Sequence, residues 1–277
     1  MKSGMLILVG TPIGNLGDMT VRGVEALRSA DLIACEDTRV TRKLLSHFKI
    51  TAKQLLAVPS HAEGPAAERI VTELNEGRTV ALVTDAGMPA VSDPGEQVVA
   101  AAVAGKHTVT VIPGPTAVTA AIAISGLPAT RFSFEGFLPR SGKERRQRLE
   151  KIAQKRRLAV FYESPHRLQK TLADLATLCQ PARRLVVCRE LTKLHEEIWR
   201  GTITEAVATA FKPKGEFVVA VEGVDEAPTD ITDEEITTLV QNQLTSGASV
   251  SSAARAVATE VGVSRDRVYA IALALQK

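Results

Sequence analysis

The sequence predicts an α/β protein with a small all-helical unit at its C-terminal end. Two observations predict this class. Strand-length apolar runs alternate with helical patterns over the first 225 residues, and the core is aliphatic, since aromatic residues make up only 4% of the chain. Both features are typical of a mainly parallel sheet covered by helices. The length of 277 residues favours two domains or one large α/β unit, and the average globular composition excludes disordered, collagen-like and coiled-coil classes.

Apolar runs of strand length mark the predicted strands. They are Met5–Val9, Leu32–Cys35, Thr79–Val83, Thr108–Ile112, Leu158–Tyr162, Leu185–Arg189 and Glu216–Glu222. Helical patterns separate them: one helix begins near Thr20, and a second runs over Glu63–Glu76 and stops at Gly77. Pro94 suits the first position of a helix that Gly105 closes. This alternation indicates β-α-β units.

Two breaks divide the chain. The segment 126–142 is rich in Gly, Pro and Arg and interrupts the alternation, so it is the best place for a boundary between two α/β halves. We expect an N-terminal α/β domain over 1–118 and a second α/β domain over 119–225. The stretch 224–233, VDEAPTDITD, has four acids and a proline and reads as a linker or a helix entrance. A separate module over 230–277 follows.

The C-terminal module has the spacing of a helix-turn-helix unit. After a helix over Glu234–Leu244, Ser249 or Ser251 is suited to cap a second helix, Gly262 to make a turn and Ser264 to cap a third. The residues expected to face inward are Ala254, Val257, Ala258, Val268, Ile271 and Ala272. An ordinary helical hairpin that packs on the body has the same pattern. Exposed arginines favour nucleic-acid binding, through Arg255, Arg265 and Arg267.

The charge distribution also points to a polyanion. The net charge is only +3, but residues 140–157 carry nine basic and two acidic side chains. Such a run is either a solvated helix face or a surface for nucleic acid, and we expect Arg145, Arg146 and Arg148 to contact RNA phosphates.

The three cysteines show no metal-ligand spacing and favour a reducing cytosol. No stretch has the pattern of a signal peptide or a membrane span, so we expect a cytoplasmic protein without a metal.

Small residues and prolines follow three predicted strands directly. The segments are GTPIGNLGD at 10–18, TDAGMP with SDPG between 84 and 95, and IPGPTA at 112–117. Turns at the carboxyl ends of parallel strands line the crevice where open α/β sheets bind ligands. None of the segments is a G-x-G-x-x-G or Walker motif, so the nucleotide-binding readings that rest on those motifs fail. We expect a pocket at this sheet edge.

Further motifs make the set recognisable. They are EDTR at 36–39, FEGFLP at 134–139, YESPHR at 162–167, RELTK at 189–193 and KGE at 214–216. Together with the three turns, and in this order over residues 5–275, they resemble the family of ribosomal RNA small subunit methyltransferase I, in the tetrapyrrole methylase superfamily. One departure is clear: relatives tend to show His-x-His-Asn after the third strand, where this chain has Pro59-Ser60-His61-Ala62-Glu63 and only one histidine remains. We expect His61 to be a loop residue.

The resemblance implies a specific enzyme. It implies two α/β domains with a cofactor cleft between them, a homodimer, and S-adenosylmethionine as cofactor. The reaction would be 2'-O-ribose methylation of a cytidine in the decoding centre of small-subunit (16S) ribosomal RNA, position 1402 in the usual rRNA numbering. The family's cofactor contacts carry over to Pro12, Asp85, Ala86, Gly87, Thr116, Ala117, Phe161, Tyr162, Glu190 and Leu191. The family also has a C-terminal helix-turn-helix unit.

The chemistry suggests roles for charged residues near this cleft. A ribose 2'-hydroxyl is a weak acid and nucleophile at neutral pH, so methyl transfer needs in-line placement and a group that takes the proton. We expect Glu36 or Lys193 to handle the proton and Arg39 to act as a clamp on phosphate or ribose. Arg167 is a second clamp, and Glu163 lines the cleft. Acids and bases three or four residues apart are also typical of structural ion pairs.

Two other function classes share part of this pattern. A methyltransferase that acts on a small tetrapyrrole has the same cofactor loops, but it needs neither the basic segment nor the helix-turn-helix unit. A DNA-binding regulator with an α/β effector domain fits the C-terminal helices, but it does not need the charged motifs at the strand ends. The sequence therefore favours an RNA methyltransferase.

Overall fold

Ten strands and eleven α-helices lie within residues 4–224, 231–261 and 263–275, the part of the chain that the computed structural model describes. The strands are β1 (Met5–Val9), β2 (Leu32–Cys35), β3 (Leu55–Ala57), β4 (Thr79–Val83), β5 (Thr108–Ile112), β6 (Phe132–Phe137), β7 (Leu158–Glu163), β8 (Arg184–Arg189), β9 (Glu197–Thr202) and β10 (Phe217–Val221). The helices are α1 (Val21–Ser29), α2 (Thr38–His47), α3 (Glu63–Asn75), α4 (Glu96–Ala104), α5 (Ala117–Ser125), α6 (Gly142–Gln154), α7 (Leu168–Ala176), α8 (Ile203–Ala208), α9 (Asp233–Thr245), α10 (Val250–Val261) and α11 (Arg265–Ala274).

The chain forms two compact units. The first comprises residues 1–153 and 157–222 and contains both sheets, while the second comprises 154–156 and 223–277 and contains the last three helices. Within the described residues, no helix has the length and apolar character needed to cross a membrane.

The first sheet is parallel throughout, as the sequence predicts. Its strand order is β3-β2-β4-β1-β5, and every pair in it runs parallel. Successive strand residues point to opposite faces, so Ile33 packs with α1 and α2 on one face and Leu32 packs with α3 and α4 on the other. Burial on both faces explains why the inner strands β1, β2 and β4 read as continuous apolar runs.

Side-chain caps set the helix starts on this sheet. Helix α1 begins at Val21, next to Thr20 as predicted, and Thr20 caps it: its Oγ1 accepts a hydrogen bond from the N–H of Gly23 at 3.0 Å. The prediction for Pro94 is wrong: α4 begins at Glu96, two residues later. The carboxylate of Glu63 accepts hydrogen bonds there from Gly95 N and Gln97 N, at 2.9 and 2.6 Å. A buried side chain from α3 therefore caps α4.

The second sheet corrects the expectation of mainly parallel pairing. Its order is β6-β7-β10-β8-β9, and only β6 and β7 pair in parallel. Strand β10 runs antiparallel between β7 and β8, and β9 is antiparallel to β8. Apolar side chains cover both faces of this sheet too, so β7, β8 and β10 have the same continuous apolar pattern as parallel strands. Hydrophobicity reports burial and carries no information on strand direction.

Three strands were not predicted from the sequence, and all three lie at sheet edges. They are β3, β6 and β9, whose residues are partly or fully exposed. Strand β6 lies inside the segment 126–142 that was read as a break in the alternation. Edge strands bury less apolar surface and therefore leave a weak signal in the sequence.

The second unit is a three-helix cluster with a core of its own. Six of its fully buried or nearly buried side chains are Ile236, Val240, Ala254, Val257, Val268 and Ala272, and four of them were predicted to face inward. Thr232 caps α9 in a capping box with Glu235, and Ser264 caps α11 as predicted. Residues 225–230 of the expected linker and the expected turn at Gly262 lie outside the described residues.

Candidate active site

A cavity of about 380 Å³ opens in the first unit, where the carboxyl ends of β1, β4 and β5 meet the end of β7 and the start of β10. Because β10 is antiparallel to β7, Phe217 pairs with Glu163 and the two strands reach the cavity at the same edge. The lining residues are Ile13, Ala86, Gly87, Met88, Val91, Ser92, Asp93, Thr116, Ala117, Phe137, Tyr162, Glu163, Ser164, Pro165, Leu191, Gly215, Glu216, Phe217 and Val218. Its volume suits a small-molecule ligand.

Three loops of the first sheet meet through their backbones at this cavity. Thr11 and Gly87 exchange two backbone hydrogen bonds, of 2.8 and 3.1 Å. Gly10 faces Gly114 so closely that a Cβ on Gly10 would lie 2.6 Å from the Cα of Gly114. The three turns that sequence analysis placed at one sheet edge are therefore in contact, and the two glycines are needed for that contact.

Gly87 has a second constraint. Its φ is +88°, a conformation that side chains with a Cβ rarely adopt, and it lies within the cavity wall. A Cβ there would find space, since its nearest neighbour would be Ile13 Cγ2 at 3.6 Å. The glycine is therefore required by the backbone conformation of the turn and not by crowding. Ala90 and Ser92 in the same loop also have positive φ values, of 65° each.

A group of carboxylates lies behind and beside this loop. Asp93 lines the cavity, and burial, reinforced by the nearby charges of Glu36, Asp85 and Glu216, raises its pKa to about 6, against a hydrogen bond from Thr84 that lowers it. Burial also raises the pKa of Asp85. Sequence analysis quoted Asp93 within the SDPG turn but gave it no role.

Two other members of this group, Glu36 and Asp85, accept hydrogen bonds that link the ends of two strands. Glu36 Oε2 accepts a hydrogen bond from Thr84 Oγ1 at 2.8 Å, and Asp85 Oδ1 accepts one from the N–H of Asp37 at 3.1 Å. These bonds join the ends of β2 and β4. Glu36 does not line the cavity, so its carboxylate lies one layer behind the wall.

Lys193 lies next to the cavity and pairs with Glu216, which lines it. Its Nζ lies 2.9 Å from Glu190 Oε1 and 2.9 Å from Glu216 Oε2. Partial burial lowers the pKa of Lys193, but the two carboxylates outweigh it and raise the pKa above its ordinary value. The stem of the lysine passes over Gly14, where a Cβ would overlap Lys193 Cγ. Lys193 is therefore a cation held in an ion-pair triad.

Phe161 and Tyr162 are neighbours on β7 that face opposite ways. Tyr162 lines the cavity beside Phe137, with ring centroids 5.3 Å apart, and burial raises its pKa to about 12. Phe161 is fully buried in the core on the other face of the sheet. The hydroxyl of Tyr162 therefore remains protonated, and the side chain of Phe161 does not reach the cavity.

Glu163 is the centre of a buried polar network in the cavity wall. Its carboxylate is 2.8 Å from Arg167 Nη2 and 3.9 Å from Arg145 Nη1, and it accepts hydrogen bonds from Thr171 Oγ1 at 2.6 Å and Ser164 N at 2.8 Å. Arg167 also donates to the carbonyl of Leu138 at 2.9 Å. The expected clamp Arg167 is thus engaged in holding the wall itself.

The residues named from sequence separate into three groups. Those that line the cavity are Ala86, Gly87, Thr116, Ala117, Tyr162, Glu163 and Leu191. Those in neighbouring positions that do not line it are Pro12, Asp85, Phe161, Glu190, Glu36 and Lys193. The remaining ones do not line it either: Arg39, Arg145, Arg146, Arg148 and Arg167 lie on helices or helix starts of the first unit, and Arg265 and Arg267 lie on α11 of the second unit.

Burial corrects the expectation for Arg145. Only 4% of this residue is exposed, and its guanidinium bonds to Asp174 Oδ2 and Thr171 Oγ1, at 3.0 and 2.8 Å. The guanidinium is buried and ion-paired, so it is not exposed to an RNA phosphate. Arg148 pairs with Glu135 at 3.0 Å but stays partly exposed, and Arg146 is exposed.

Three of the other expected clamps are occupied within their own units. Arg39 is 84% exposed and forms a 2.6 Å ion pair with Asp37. In the second unit, Arg267 donates to Asp233 Oδ1 at 2.7 Å and Arg265 donates to Ser251 Oγ at 3.0 Å. Among the described residues, no group of three or more His, Cys, Asp or Glu side chains is arranged to hold a metal ion.

Comparison with known proteins identifies the class of fold and site. The model of the family Tetrapyrrole (Corrin/Porphyrin) Methylases matches residues 5–207. A solved structure of a cobalamin biosynthetic enzyme, cobalt precorrin-4 methyltransferase, is similar with a TM-score of 0.59 and 21% identity, over 79% of this chain and 94% of that one. At this identity the likeness establishes the fold alone.

Two curated relatives narrow the family. Ribosomal RNA small subunit methyltransferase I of Synechocystis sp. is 44% identical over 276 residues, 99% of each chain. The protein of the same name from Thermotoga maritima is 45% identical over 222 residues, which are 99% of that protein and 79% of this chain. The chain therefore belongs to the tetrapyrrole methylase family and, within it, to the ribosomal RNA small subunit methyltransferase I family.

Methyltransferases of this family use S-adenosylmethionine as the methyl donor, and the chain's own residues fit it. Apolar side chains of Ile13, Ala117 and Leu191 suit the adenosine and the methionine stem, while the carboxylates of Asp93 and Glu216 complement a sulfonium and an ammonium group. The cavity volume of about 380 Å³ is of the size that such a ligand requires. The chain is an S-adenosylmethionine-dependent methyltransferase.

Proposed function

We propose that the chain methylates the ribose 2'-oxygen of a cytidine in the decoding centre of small-subunit (16S) ribosomal RNA, the residue at position 1402 in the usual rRNA numbering. The observation that carries this proposal is the match to ribosomal RNA small subunit methyltransferase I at 44% identity over 99% of both chains. The cavity with its carboxylates supports the cofactor side of the reaction, and the basic surfaces support the RNA side.

The reaction forms one bond and breaks one. S-adenosylmethionine supplies, when bound, an electrophilic methyl group on a sulfonium. The ribose oxygen forms a bond to that carbon as the carbon–sulfur bond breaks, and the hydroxyl proton leaves to a base. The cavity residues act by placing the two reactants in line and by keeping water out, which is the larger part of catalysis when the electrophile is already reactive.

Removal of the 2'-hydroxyl proton is the step for which the chain must supply a base. Lys193 is held in its charged form by Glu190 and Glu216, so it does not accept a proton. Of the two candidates from sequence, Glu36 remains, and because its carboxylate does not line the cavity, it accepts the proton through a bridging water. In this proposal Lys193 positions the loop of Gly14 through its stem and its two ion pairs.

The substrate surfaces are also part of the proposal. We propose that Arg146 and Arg148 on α6 contact RNA phosphates, that Arg167 and Glu163 shape the ribose side of the cavity, and that the exposed arginines of the second unit add contacts. A homodimer in the cytosol, with domain boundaries at 1–118, 119–225 and 230–277, completes it. The Thermotoga relative supports an accessory role for the last module, because 222 matched residues are 99% of that protein.

Two other functions are tested by the same experiment. One is methylation of a small tetrapyrrole, which the family model favours, and the other is DNA binding without methyl transfer, which the C-terminal helices favour. The purified chain is incubated with tritiated S-adenosylmethionine and small ribosomal subunits, a tetrapyrrole or duplex DNA. Label in 16S rRNA alone supports the proposal. Label in the tetrapyrrole, or no transfer together with DNA binding, overturns it.

A further inference from the structure

Helix α2 and the segment after it form a basic stretch that the sequence analysis did not single out. Residues 38–53 contain five lysines and arginines and no aspartate or glutamate. The basic residues of this stretch are Arg39, Arg42, Lys43, Lys49 and Lys53. An acid-free stretch of this length is a positive surface if its cations point to solvent and are not neutralised by neighbours.

The cations of α2 share one face of the helix. Residues three and four positions apart are neighbours on a helix, so Arg39, Arg42 and Lys43 lie together, and all three are exposed. The opposite face is buried through Thr41 and Leu45, against the core of the first sheet. Because the core fixes the rotation of the helix, the cations are fixed outward.

Two of these cations have no acidic neighbour. In the part of the chain that the structure describes, no carboxylate lies within ion-pairing distance of Arg42 or Lys43. Arg39 by contrast pairs with Asp37, and Lys53 pairs with Asp31 at 2.8 Å. Arg42 and Lys43 are thus positioned by the fold and available to an anion.

A groove of about 550 Å³ continues this face. It is lined by Arg42, Leu45, Ser46, Ile50, Thr51, Ala52, Lys53, Gln54 and Leu55, with hydroxyl and amide donors between Arg42, unpaired within the described residues, and Lys53, which is paired with Asp31. The groove is wide and open, so it suits a chain that lies along the surface and not an enclosed small molecule. Phosphates of a single-stranded nucleic acid match this combination of charge and donors.

The position of α2 connects the face to the cavity. The helix begins at Thr38, directly after Glu36 and Asp37, and the N–H of Asp37 donates to Asp85, which adjoins the cavity residues Ala86 and Gly87. A helix of ten residues is about 15 Å long. A strand whose ribose enters the cavity therefore needs only a few nucleotides to reach Arg42 and Lys43.

We propose that the outer face of α2, through Arg42 and Lys43 and the groove that ends at Lys53, binds the phosphate backbone of the RNA strand next to the methylated nucleotide. The inference rests on the proposed function for the identity of the polyanion. The contacts are with phosphates, so they hold the RNA in place without reading its sequence.

The test is a pair of double variants in the full chain. Arg42→Gln/Lys43→Gln removes two charges from this face. Arg69→Gln/Lys106→Gln removes two exposed charges from the α3 and α4 side of the first sheet, which is the opposite face. Binding of a single-stranded oligouridine is measured against salt concentration, and S-adenosylmethionine affinity is measured for each variant as the control for folding.

The α2 variant should lower the slope of log K against log salt by about 1.4, since each single-strand phosphate contact contributes about 0.7. The Arg69/Lys106 variant should keep the wild-type slope, and both should keep the wild-type S-adenosylmethionine affinity. An unchanged slope in the α2 variant, or an equal loss in both variants, overturns the inference. So does loss of binding to assembled subunits with unchanged oligouridine binding, because the partner is then a protein.

Failure of this inference is distinct from failure of the proposed function. If the wild-type chain methylates 16S rRNA while the α2 variant keeps its slope, the inference is wrong and the function stands. If the wild-type chain transfers no methyl group to RNA while the α2 variant has a lower salt slope of oligouridine binding than the wild type, the proposed function is wrong and the face still binds polyanions.

Discussion

Arg145 Nη1 lies 3.9 Å from Glu163 Oε2, and both side chains are buried. Arg145 belongs to the basic helix α6, while Glu163 lines the cavity, so this pair joins the helix to the cavity wall. The carbonyl of Pro139 accepts a further bond from Arg145 at 3.3 Å. One of the nine positive charges of the segment 140–157 is therefore a structural element of the site and not an RNA contact.

Arg145→Met should destabilise the fold, whereas Arg146→Met should not. Removing one partner of a buried ion pair costs about 3 kcal/mol, because the remaining carboxylates lose their counter-charge. Arg146 is exposed, so its loss should change the free energy of unfolding by less than about 0.5 kcal/mol. Urea unfolding of the two variants and the wild type measures both changes. Equal stabilities would show that Arg145 is not anchored in the wall.

Asp93→Asn should remove a pH dependence of cofactor binding. The pKa of Asp93 is raised to about 6, so its carboxylate ionises as the pH rises through that value. The affinity for the cationic S-adenosylmethionine should therefore increase between about pH 5 and pH 7 in the wild type, and it should be weaker and flat in the variant. Titration calorimetry at several pH values across this range measures the S-adenosylmethionine affinity of the wild type and the variant.

The raised pKa of Asp93 also makes the stability of the fold depend on pH, and stability changes in the opposite direction to cofactor affinity. A carboxyl group with a raised pKa in the folded state stabilises that state when protonated, so the cofactor-free wild type should lose stability as the pH rises through about 6. The variant Asp93→Asn should lack this loss. Identical pH profiles for wild type and variant, in both binding and stability, would exclude Asp93 from the site.

Gly87→Val should weaken S-adenosylmethionine binding by about tenfold or more, since a β-branched residue at a φ of +88° strains or moves the cavity wall by about 1–3 kcal/mol. The matched control is Gly126→Val, because Gly126 also has a positive φ, of 71°, but does not line the cavity. The control should lose stability and keep its cofactor affinity. Unchanged affinity in Gly87→Val would remove this turn from the binding site.

Deletion of residues 223–277 should leave cofactor affinity within about twofold, a change of roughly 0.4 kcal/mol. The cavity residues all lie in the first compact unit, and the removed helices have a core of their own. Methylation of 16S rRNA should fall because substrate capture is weaker. Aggregation of the truncated chain, or loss of cofactor binding together with activity, would show that the module is structural.

Local patterns explain what could be predicted. The parallel first sheet followed from buried strands that read as continuous apolar runs, and the start of α1 near Thr20 and the helix cap at Ser264 followed from residue type. The second sheet has the same runs, so its antiparallel strands could not be distinguished. The turns that contain Gly87 and Thr116 indicated a pocket, because the carboxyl ends of parallel strands lie at the same edge of a sheet.

The charged residues were harder to assign, because their roles depend on neighbours distant in sequence. Arg145 is neutralised by Glu163 and Asp174, while Arg42 meets no acid in the described part of the chain. A count of charges cannot separate the two. Asp93 owes its raised pKa to burial and to Glu36, Asp85 and Glu216, which approach it only in the folded chain.

The most direct measurement is the position of the transferred methyl group. Small ribosomal subunits are labelled by the wild-type chain with tritiated S-adenosylmethionine, and the 16S rRNA is then hydrolysed in alkali. A 2'-O-methyl group blocks cleavage at its own nucleotide, so the label should appear in one alkali-resistant dinucleotide that begins with cytidine. Label in mononucleotides would place the methyl group on a base, and label absent from RNA would contradict ribose methylation altogether.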